Sequence, residues 1–326
     1  MKIERLPSGT YRVRKRIDGH AYSLTFDRKP TLDEINDKLH TLMNKDGLNG
    51  RQTMSEAVTE YINSRSNVLS PSTLRSYHTL QRSMSDAFGK KLIADVKSKD
   101  VQAEINRFAK NHSAKTTRNY HGFVTAVIRA FDPSRVFYTT LPQKRPSEAI
   151  RASESDIRAL LEASKGSKYH VAFSLGVLGM RRGEICGLNI FTDLRGNELH
   201  IHQALVESDH GWMLKDVPKN DTSNRTIYLP DDLVAEILRQ GFIVDVTPPM
   251  LVKALHSYQE QLGLPAFRFH DLRHYFATYA HALGVPDKYI MELGGWKTTH
   301  TLDKVYKETL DEKVKAEKVL LAKKIL

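Results

Sequence analysis

The chain of 326 residues is poor in several features that define large classes of proteins. It has one cysteine, Cys186, and two tryptophans. A single cysteine excludes an internal disulfide and any metal site built from several thiolates. No apolar run approaches the roughly 20 residues of a membrane-spanning helix. The opening residues, MKIERLPSG, lack the apolar core of a signal peptide. We therefore expect a cytoplasmic protein that makes no use of a membrane.

Several common catalytic motifs are also missing. The sequence contains no Walker-type phosphate loop, no G-x-S-x-G elbow and no paired-carboxylate metal motif. These absences argue against P-loop nucleotide hydrolysis, against the serine hydrolases and against two-metal phosphoryl transfer.

Positive charge is abundant and unevenly distributed. The formal net charge is +11, and residues 1–140 carry 24 Lys and Arg against 14 Asp and Glu, which is +10 of that total. A basic region of this kind favours a polyanionic partner such as nucleic acid. The plainer alternative, a soluble protein that happens to be basic, stays open on charge alone.

The first segment, residues 1–50, is predicted to be a three-stranded sheet followed by a helix. Residues 9–27 alternate between apolar and polar side chains, and Asp18-Gly19 is a strong hairpin signal. Arg12, Arg14 and Arg16 then share one face of a strand, and such a face can lie in a DNA groove. A solvated outer face explains the same pattern equally well.

The second segment, residues 51–140, is predicted to be all-helical. Thr53-x-x-Glu56 is a capping-box pattern, and Ser70-Pro71 opens a helix that we expect to run to Gly89. Basic and hydroxyl residues cluster at helix starts, where phosphate groups bind well. Ordinary helix capping accounts for each hydroxyl residue about as well. The basic candidates for DNA contact are Arg75, Lys115 and Arg118.

An aperiodic, proline-bearing stretch at 132–153 predicts a linker before the third segment, residues 150–326. That segment mixes helical and strand patterns without βαβ alternation, which excludes a doubly wound sheet. The predicted fold class is therefore multidomain α+β: a small N-terminal sheet domain, an all-α domain and a mixed, mainly helical domain.

Several polar residues of the third segment do not fit an ordinary core. His270, Arg273 and His274 interrupt the apolar run FRFHDLRHYFATY, and Arg181-Arg182 directly follows the apolar stretch SLGVLGM. A buried guanidinium is costly without an anionic partner. An ion pair with Glu184 and a helix-capping histidine are the simple explanations, and each suffices when its motif is taken alone.

Three further candidates are a lysine, a tryptophan and a tyrosine. Lys219 lies in the turn-rich stretch VPKNDTSNR, and Trp296 precedes Tyr306 by ten residues. Arginine forks match phosphate oxygens and stabilise a pentavalent transition state. A tyrosine can attack phosphorus, and a loop lysine can protonate the leaving oxygen. The set as a whole contains the groups needed for phosphoryl transfer without a metal.

The motifs that carry these residues resemble those of the tyrosine recombinase (integrase) family. LGMRRGEICGL resembles the first arginine box, HDLRH resembles the H-x-x-R box, and LGGWKTTHTLDKVY resembles the last box, which ends in the nucleophile. The boxes follow the family's order. The first 140 residues resemble the family in layout only: a DNA-arm-binding domain, then a helical core-binding domain, then the catalytic domain.

The resemblance implies a role for each matching residue. Tyr306 would form a 3′-phosphotyrosyl bond, Arg181 and Arg273 would hold the scissile phosphate, and Arg182 is the competing choice for the first arginine. His270 would donate to the phosphate or relay a proton, and Lys219 would protonate the 5′-oxygen. Glu184 would orient His270 or Arg181. Trp296 stands where the family most often has histidine, so we expect it to pack and position. We expect His274 to be a structural neighbour.

The resemblance also implies function and partners. It implies a site-specific recombinase of a phage or integrative element. The recombinase would act as a homo-tetramer on double-stranded DNA that contains attachment sites. Its expected location is the nucleoid in the cytoplasm of a bacterial cell. No cofactor is expected, because the phosphotyrosyl bond conserves the phosphodiester energy. An excisionase and a host DNA-bending protein are further candidate partners. The amphipathic tail would dock on a neighbouring protomer or pack on its own domain. A non-catalytic DNA-binding protein and a type IB topoisomerase-like enzyme remain as alternatives.

Overall fold

The computed structural model describes residues 3–17, 20–45, 52–143, 150–216, 222–300 and 302–303. The chain divides into two compact units, Met1–Pro146 and Ser147–Leu326, called here the N-terminal and C-terminal units. Over the described ranges, no helix has both the length and the apolarity needed to cross a bilayer.

The N-terminal unit begins with a three-stranded antiparallel sheet. Its strands are β1 (Ile3–Arg5), β2 (Tyr11–Ile17) and β3 (His20–Phe26), in the order β1-β2-β3, and helix α1 (Leu32–Lys45) follows. Val13 pairs with Leu24 across the sheet, and both are buried with Ile35 of α1. Alternation along the strands therefore places one face of the sheet against a helix, as the sequence pattern predicts.

Helices form the rest of the described N-terminal unit. Thr53, Ser70 and Ser113 cap three of these helices, and Thr53 and Glu56 form the reciprocal capping box that the sequence predicts. Apolar faces of these helices share one core, which includes Phe108, Tyr120 and Val127. The helices are α2 (Met54–Asn63), α3 (Pro71–Arg82), α4 (Asp86–Gly89), α5 (Ser98–Ala109) and α6 (Ala114–Phe131), with a 3-10 turn at Ile93–Asp95.

The single helix predicted from Ser70 to Gly89 is wrong. Helix α3 ends at Arg82, and Ser85 caps the separate short helix α4. The Ser85 backbone N–H and hydroxyl both donate to the buried carboxylate of Glu104, at 3.1 and 2.6 Å. This tertiary contact lies 19 residues away in sequence, so local periodicity does not reveal it.

The C-terminal unit combines eight helices with two small antiparallel sheets within its described residues. Strands β4 (Leu194–Arg195), β5 (Glu198–Ile201) and β8 (Arg225–Tyr228) form one sheet, and β6 (Gln203–Ser208) pairs with β7 (Gly211–Asp216) in the other. The helices are α7 (Glu154–Ser164), α8 (His170–Val177), α9 (Arg182–Ile185), α10 (Ile190–Asp193), α11 (Asp231–Gln240), α12 (Pro248–Leu262), α13 (Phe269–Ala282) and α14 (Asp287–Gly294).

Close packing of α13 against α8 fixes the region that carries the unusual polar residues. A Cβ on Gly176 of α8 would lie 3.0 Å from Leu272 of α13, and one on Gly179 would lie 2.7 Å from Phe276. Gly179 also has φ +92, a left-handed conformation that glycine tolerates best. These two glycines let the end of α8 meet α13 directly. The predicted multidomain α+β fold class is confirmed.

Candidate active site

Arg181 lies where the apolar helix α8 gives way to the short helix α9. It is the N-cap residue of α9. Its Nη1 donates to Glu184 Oε1 at 2.6 Å, and its Nη2 donates to the Gly295 carbonyl at 2.6 Å. The side chain is still 37% exposed, so the guanidinium is fixed by these two partners and part of it faces solvent. Its neighbour Arg182 is exposed, which favours Arg181 as the arginine of the site.

Glu184 is the buried centre of the site. One oxygen accepts from Arg181 Nη1, and the other accepts from the Arg181 backbone N–H at 2.9 Å. Arg225 Nη2 and Nη1 donate to the same carboxylate at 2.9 and 3.3 Å. Burial opposes ionisation of Glu184, but the charges and hydrogen bonds of Arg225 and Arg181 outweigh it and lower its pKa. The carboxylate is therefore ionised at neutral pH and orients Arg181.

Arg225 is a part of this cluster that sequence reasoning missed. It lies on β8, whose burial alternates so that Arg225 and Ile227 point inward. Its side chain is 4% exposed, and its Nε donates to the Leu293 carbonyl at 2.7 Å. An arginine in the inward register of a strand was the available signal, because such a position normally carries an apolar side chain.

Arg273 is almost fully buried, at 1% exposure, on α13. Its Nη1 donates to the carbonyls of Gly179 and Gly294. Burial, followed by the charge of Arg181, lowers the pKa of Arg273 to about 9, so the guanidinium stays protonated at neutral pH. Arg181 and Arg273 thus bind adjacent carbonyls of one turn, at Gly295 and Gly294.

Trp296 packs directly against Arg273. The guanidinium carbon of Arg273 lies 3.8 Å from the centroid of the indole ring, and the ring stacks on Phe276 at 6.4 Å. A Cβ on Gly294 would fall 1.7 Å from the Trp296 ring. The contacts described for Trp296 are packing and cation–π contacts, and its positioning role stays a prediction.

His270 and His274 lie one turn apart on α13, with ring centroids 4.7 Å apart and planes at 84°. His270 is exposed, yet partial desolvation and the charge of Arg273 lower its pKa. Burial lowers the pKa of His274 to about 4, and its Nδ1 has no hydrogen-bond partner among the described residues. Both rings are therefore neutral at pH 7.

Lys219 and Tyr306 lie outside the described residues. The structure brings together Arg181, Glu184, Arg225 and Arg273, with Trp296 packed on Arg273. His270 is close enough to Arg181 and Arg273 for both charges to depress its pKa. Two guanidinium groups beside a neutral imidazole form a site suited to a phosphate group.

The DNA-contact candidates of the N-terminal unit differ in environment. Arg14 and Arg16 are exposed on β2, while Arg12 is half-buried. Lys115 is exposed in the first turn of α6, and Arg75 is half-buried on α3. The Nε of Arg118 donates to the Pro142 carbonyl at 3.0 Å. Part of Arg118 is therefore occupied in holding the chain that follows α6.

Sequence comparison finds proteins that are similar to this chain. The model of the phage integrase family matches residues 247–313. A tyrosine recombinase XerC-like protein of Caldanaerobacter subterraneus subsp. tengcongensis is 23% identical over 273 residues, which is 68% of this chain and 69% of that protein. The integrase of Salmonella phage P22 is 26% identical over 209 residues, and the match spans 59% of this chain and about half (54%) of the phage protein.

Solved integrase structures share the fold. The Tn1549 transposon integrase, solved with transposon right-end DNA, aligns with a TM-score of 0.63 at 18% identity and covers 83% of this chain and 100% of that one. A lambda integrase tetramer on a Holliday junction aligns with a TM-score of 0.59 at 17% identity, over 91% and 95% of the two chains.

The fold is that of a multidomain integrase, and the matched segment contains His270, Arg273 and Trp296. In sequence the chain is similar to tyrosine recombinases of the phage integrase family.

Proposed function

We propose that the chain integrates and excises a mobile element by cutting and rejoining DNA through a covalent bond between Tyr306 and a 3′-phosphate. The observation that carries the proposal is the pair Arg181 and Arg273. Both guanidinium groups are anchored on one turn, at Gly295 and Gly294, and Arg181 remains open to solvent. Preorganised cations of this kind stabilise charge that develops on a phosphate in the transition state.

The proposed step forms one bond and breaks one. The phenolic oxygen of Tyr306 attacks the scissile phosphorus, and the bond from phosphorus to the 5′-oxygen breaks. Lys219 gives a proton to the departing 5′-oxygen. His270, neutral at pH 7 because its pKa is lowered, donates an N–H to the phosphate with one ring nitrogen and accepts the tyrosine proton with the other. The reverse step, with a 5′-hydroxyl of another strand, rejoins the DNA.

The proposed partner is double-stranded DNA containing attachment sites. The net charge of +10 on residues 1–140 supports this partner, with Arg12, Arg14, Arg16, Arg75, Lys115 and Arg118 as candidate contacts. We propose a homo-tetramer in the bacterial cytoplasm at the nucleoid, by analogy with the lambda integrase tetramer on a Holliday junction. An excisionase and a host DNA-bending protein remain candidate accessory partners.

The C-terminal tail has a proposed role in this assembly. Residues 311–326 lie outside the described residues, and their sequence carries an apolar stripe at helical spacing. We propose that the stripe docks on a neighbouring protomer. Deletion of 311–326 is then expected to abolish tetramer formation on DNA, as measured by native gel shift. Unchanged recombination and synapsis would refute this part of the proposal.

The test of the main proposal is covalent trapping. The full chain first selects its binding sequence from a randomised duplex library. Duplexes of that sequence, each with a nick at a different position, are then incubated with the chain in EDTA and run on denaturing gels. A nick lets the short 5′-hydroxyl fragment diffuse away, so the phosphotyrosyl adduct accumulates.

Two matched variants decide the outcome. Tyr306→Phe is expected to bind the duplex and form no adduct. Tyr289→Phe, at a tyrosine that is 56% exposed, is expected to form the adduct like the wild type. Selective binding without any adduct over the whole nick series would favour the non-catalytic alternative. Relaxation of supercoiled DNA without exchange between two duplexes would favour the topoisomerase-like one.

A further inference from the structure

We propose that Arg225 is a positioning residue for the strand-cleavage reaction, acting on the scissile phosphate through Glu184 and Arg181. This inference rests on the proposed function. It adds a residue that belongs to none of the three sequence boxes. Arg225 lies 44 positions after Arg181 and six after Lys219 in the sequence.

Arg225 controls the orientation of Arg181 through the carboxylate of Glu184. A carboxylate has about four acceptor positions, and all four on Glu184 are used. Two receive N–H groups of Arg181, and two receive Nη1 and Nη2 of Arg225. Arg225 therefore fixes the plane of the carboxylate, and the carboxylate fixes the guanidinium of Arg181. Arg181 is the partly exposed member of the three, so its orientation determines what a bound phosphate meets.

Arg225 also binds the turn that leads from α14 to Trp296. Its three successive carbonyls each accept from a different arginine. Leu293 accepts from Arg225, Gly294 from Arg273 and Gly295 from Arg181. A Cβ on Gly295 would lie 2.9 Å from Arg225 Nη1, so Arg225 fits against bare backbone. Arg225 thus contacts both groups that bind the Arg181 guanidinium: the Glu184 carboxylate and the turn that contains Gly295.

Arg225 also adds positive charge to the site. Arg181 and Arg225 bind the buried Glu184 carboxylate, and Arg273 lies near enough to feel its charge. Three guanidinium groups and one carboxylate leave the cluster with two net positive charges before any phosphate binds. A lysine at 225 would keep this charge. It would lose the planar fork that holds Glu184 at two points and the Leu293 carbonyl at a third. We therefore propose that Arg225 contributes its planar fork geometry as well as its positive charge.

The experiment measures single-turnover cleavage of the nicked duplex described above. Arg225→Lys and Arg225→Gln are compared with the wild type and with Arg195→Lys, a matched change at an exposed arginine of the same sheet. We expect Arg225→Lys to slow cleavage by about tenfold or more, the scale of one charge-assisted hydrogen bond. DNA affinity should stay at the wild-type level. Arg195→Lys should match the wild type in both measurements.

A second substrate separates positioning from general support of the fold. A methylphosphonate at the scissile position replaces one charged oxygen with a methyl group, so the phosphate no longer needs the arginine charges. If Arg225 acts through Arg181, the rate ratio between wild type and each Arg225 variant shrinks on this substrate. A ratio equal to that on the normal phosphate would overturn the proposal, as would an Arg225→Lys variant that cleaves like Arg195→Lys.

The two proposals fail in different ways. No adduct from the wild type refutes the proposed function. An adduct from the wild type, with Arg225 variants that cleave normally, refutes only the role of Arg225. Circular dichroism and the melting temperature of each variant show whether it is folded. The same preparation of each folded variant is assayed on both substrates, and a moderate loss of stability would slow both equally. The change in the wild-type-to-variant rate ratio between the two substrates therefore does not arise from lost stability.

Discussion

Replacement of Glu184 by glutamine should strongly destabilise the C-terminal unit. The carboxylate is 3% exposed and accepts four hydrogen bonds from two arginines. Glutamine keeps one acceptor oxygen, but its amide group would face N–H donors. Removing one partner of a buried ion pair costs about 3–5 kcal/mol. We expect about 3 kcal/mol here, because half of the acceptor capacity survives.

Calorimetry of the full chain gives the test. For a unit of this size, 3 kcal/mol corresponds to a fall of about 6–12 °C in the melting temperature of its transition. The matched control is Glu198→Gln, at an exposed glutamate on β5, which should change stability by less than about 0.5 kcal/mol. If the stability of Glu184→Gln lay within about 0.5 kcal/mol of the control, the ion-pair reasoning would be wrong.

The same carboxylate makes a prediction about pH. The pKa of Glu184 is lowered in the folded chain from its ordinary value of 4.5. The stabilisation is therefore fully present above pH 4.5 and is lost as the pH falls through the lower, folded-state pKa. Urea denaturation between pH 6 and pH 3 should show a steeper acid loss in the wild type than in Glu184→Gln. Parallel curves of stability against pH for the two proteins would contradict this prediction.

Three further predictions follow from other contacts. Gly294→Ala places a Cβ in the Trp296 ring and should lower the free energy of unfolding by at least about 1–3 kcal/mol. It should also shift the fluorescence emission of Trp296, measured in a Trp212→Phe background. An unshifted spectrum would refute the contact. Folding lowers the pKa of His274 from 6.5 to about 4. Acidification from pH 6.5 to pH 4 should therefore remove up to about 3 kcal/mol of unfolding free energy. In urea titrations, His274→Asn should abolish this pH dependence. Thr53→Ala removes the cap of α2 and should cost about 1 kcal/mol, measured by urea denaturation, whereas exposed Ser66→Ala should cost less.

Local signals predicted much of the fold. The capping box at Thr53 begins a helix in the structure, and strand alternation identified the N-terminal sheet. These features depend on residues within one turn or one hairpin, so the sequence displays them directly. The break between α3 and α4 depends instead on Glu104, 19 residues further along the chain.

The candidate site was predictable only in part, for the same reason. Resemblance to family boxes pointed to Arg181, Glu184, His270, Arg273 and Trp296, and the structure brings the two arginines onto one turn. Arg225 belongs to no box, and its partners Glu184 and Leu293 lie 41 and 68 residues away. Pairings over such distances depend on the tertiary fold. The roles of Lys219 and Tyr306 stay predictions.

The turn at Leu293–Gly295 limits which segments of this chain can be exchanged for those of its relatives in a chimera. The segment matched by the family model, residues 247–313, includes Arg273 and the turn but excludes Arg181 and Arg225. Two of the three donors to its carbonyls therefore come from outside that segment. A chimera that exchanges only this segment would pair a foreign turn with native arginines. The smallest exchangeable module should instead begin before Arg181.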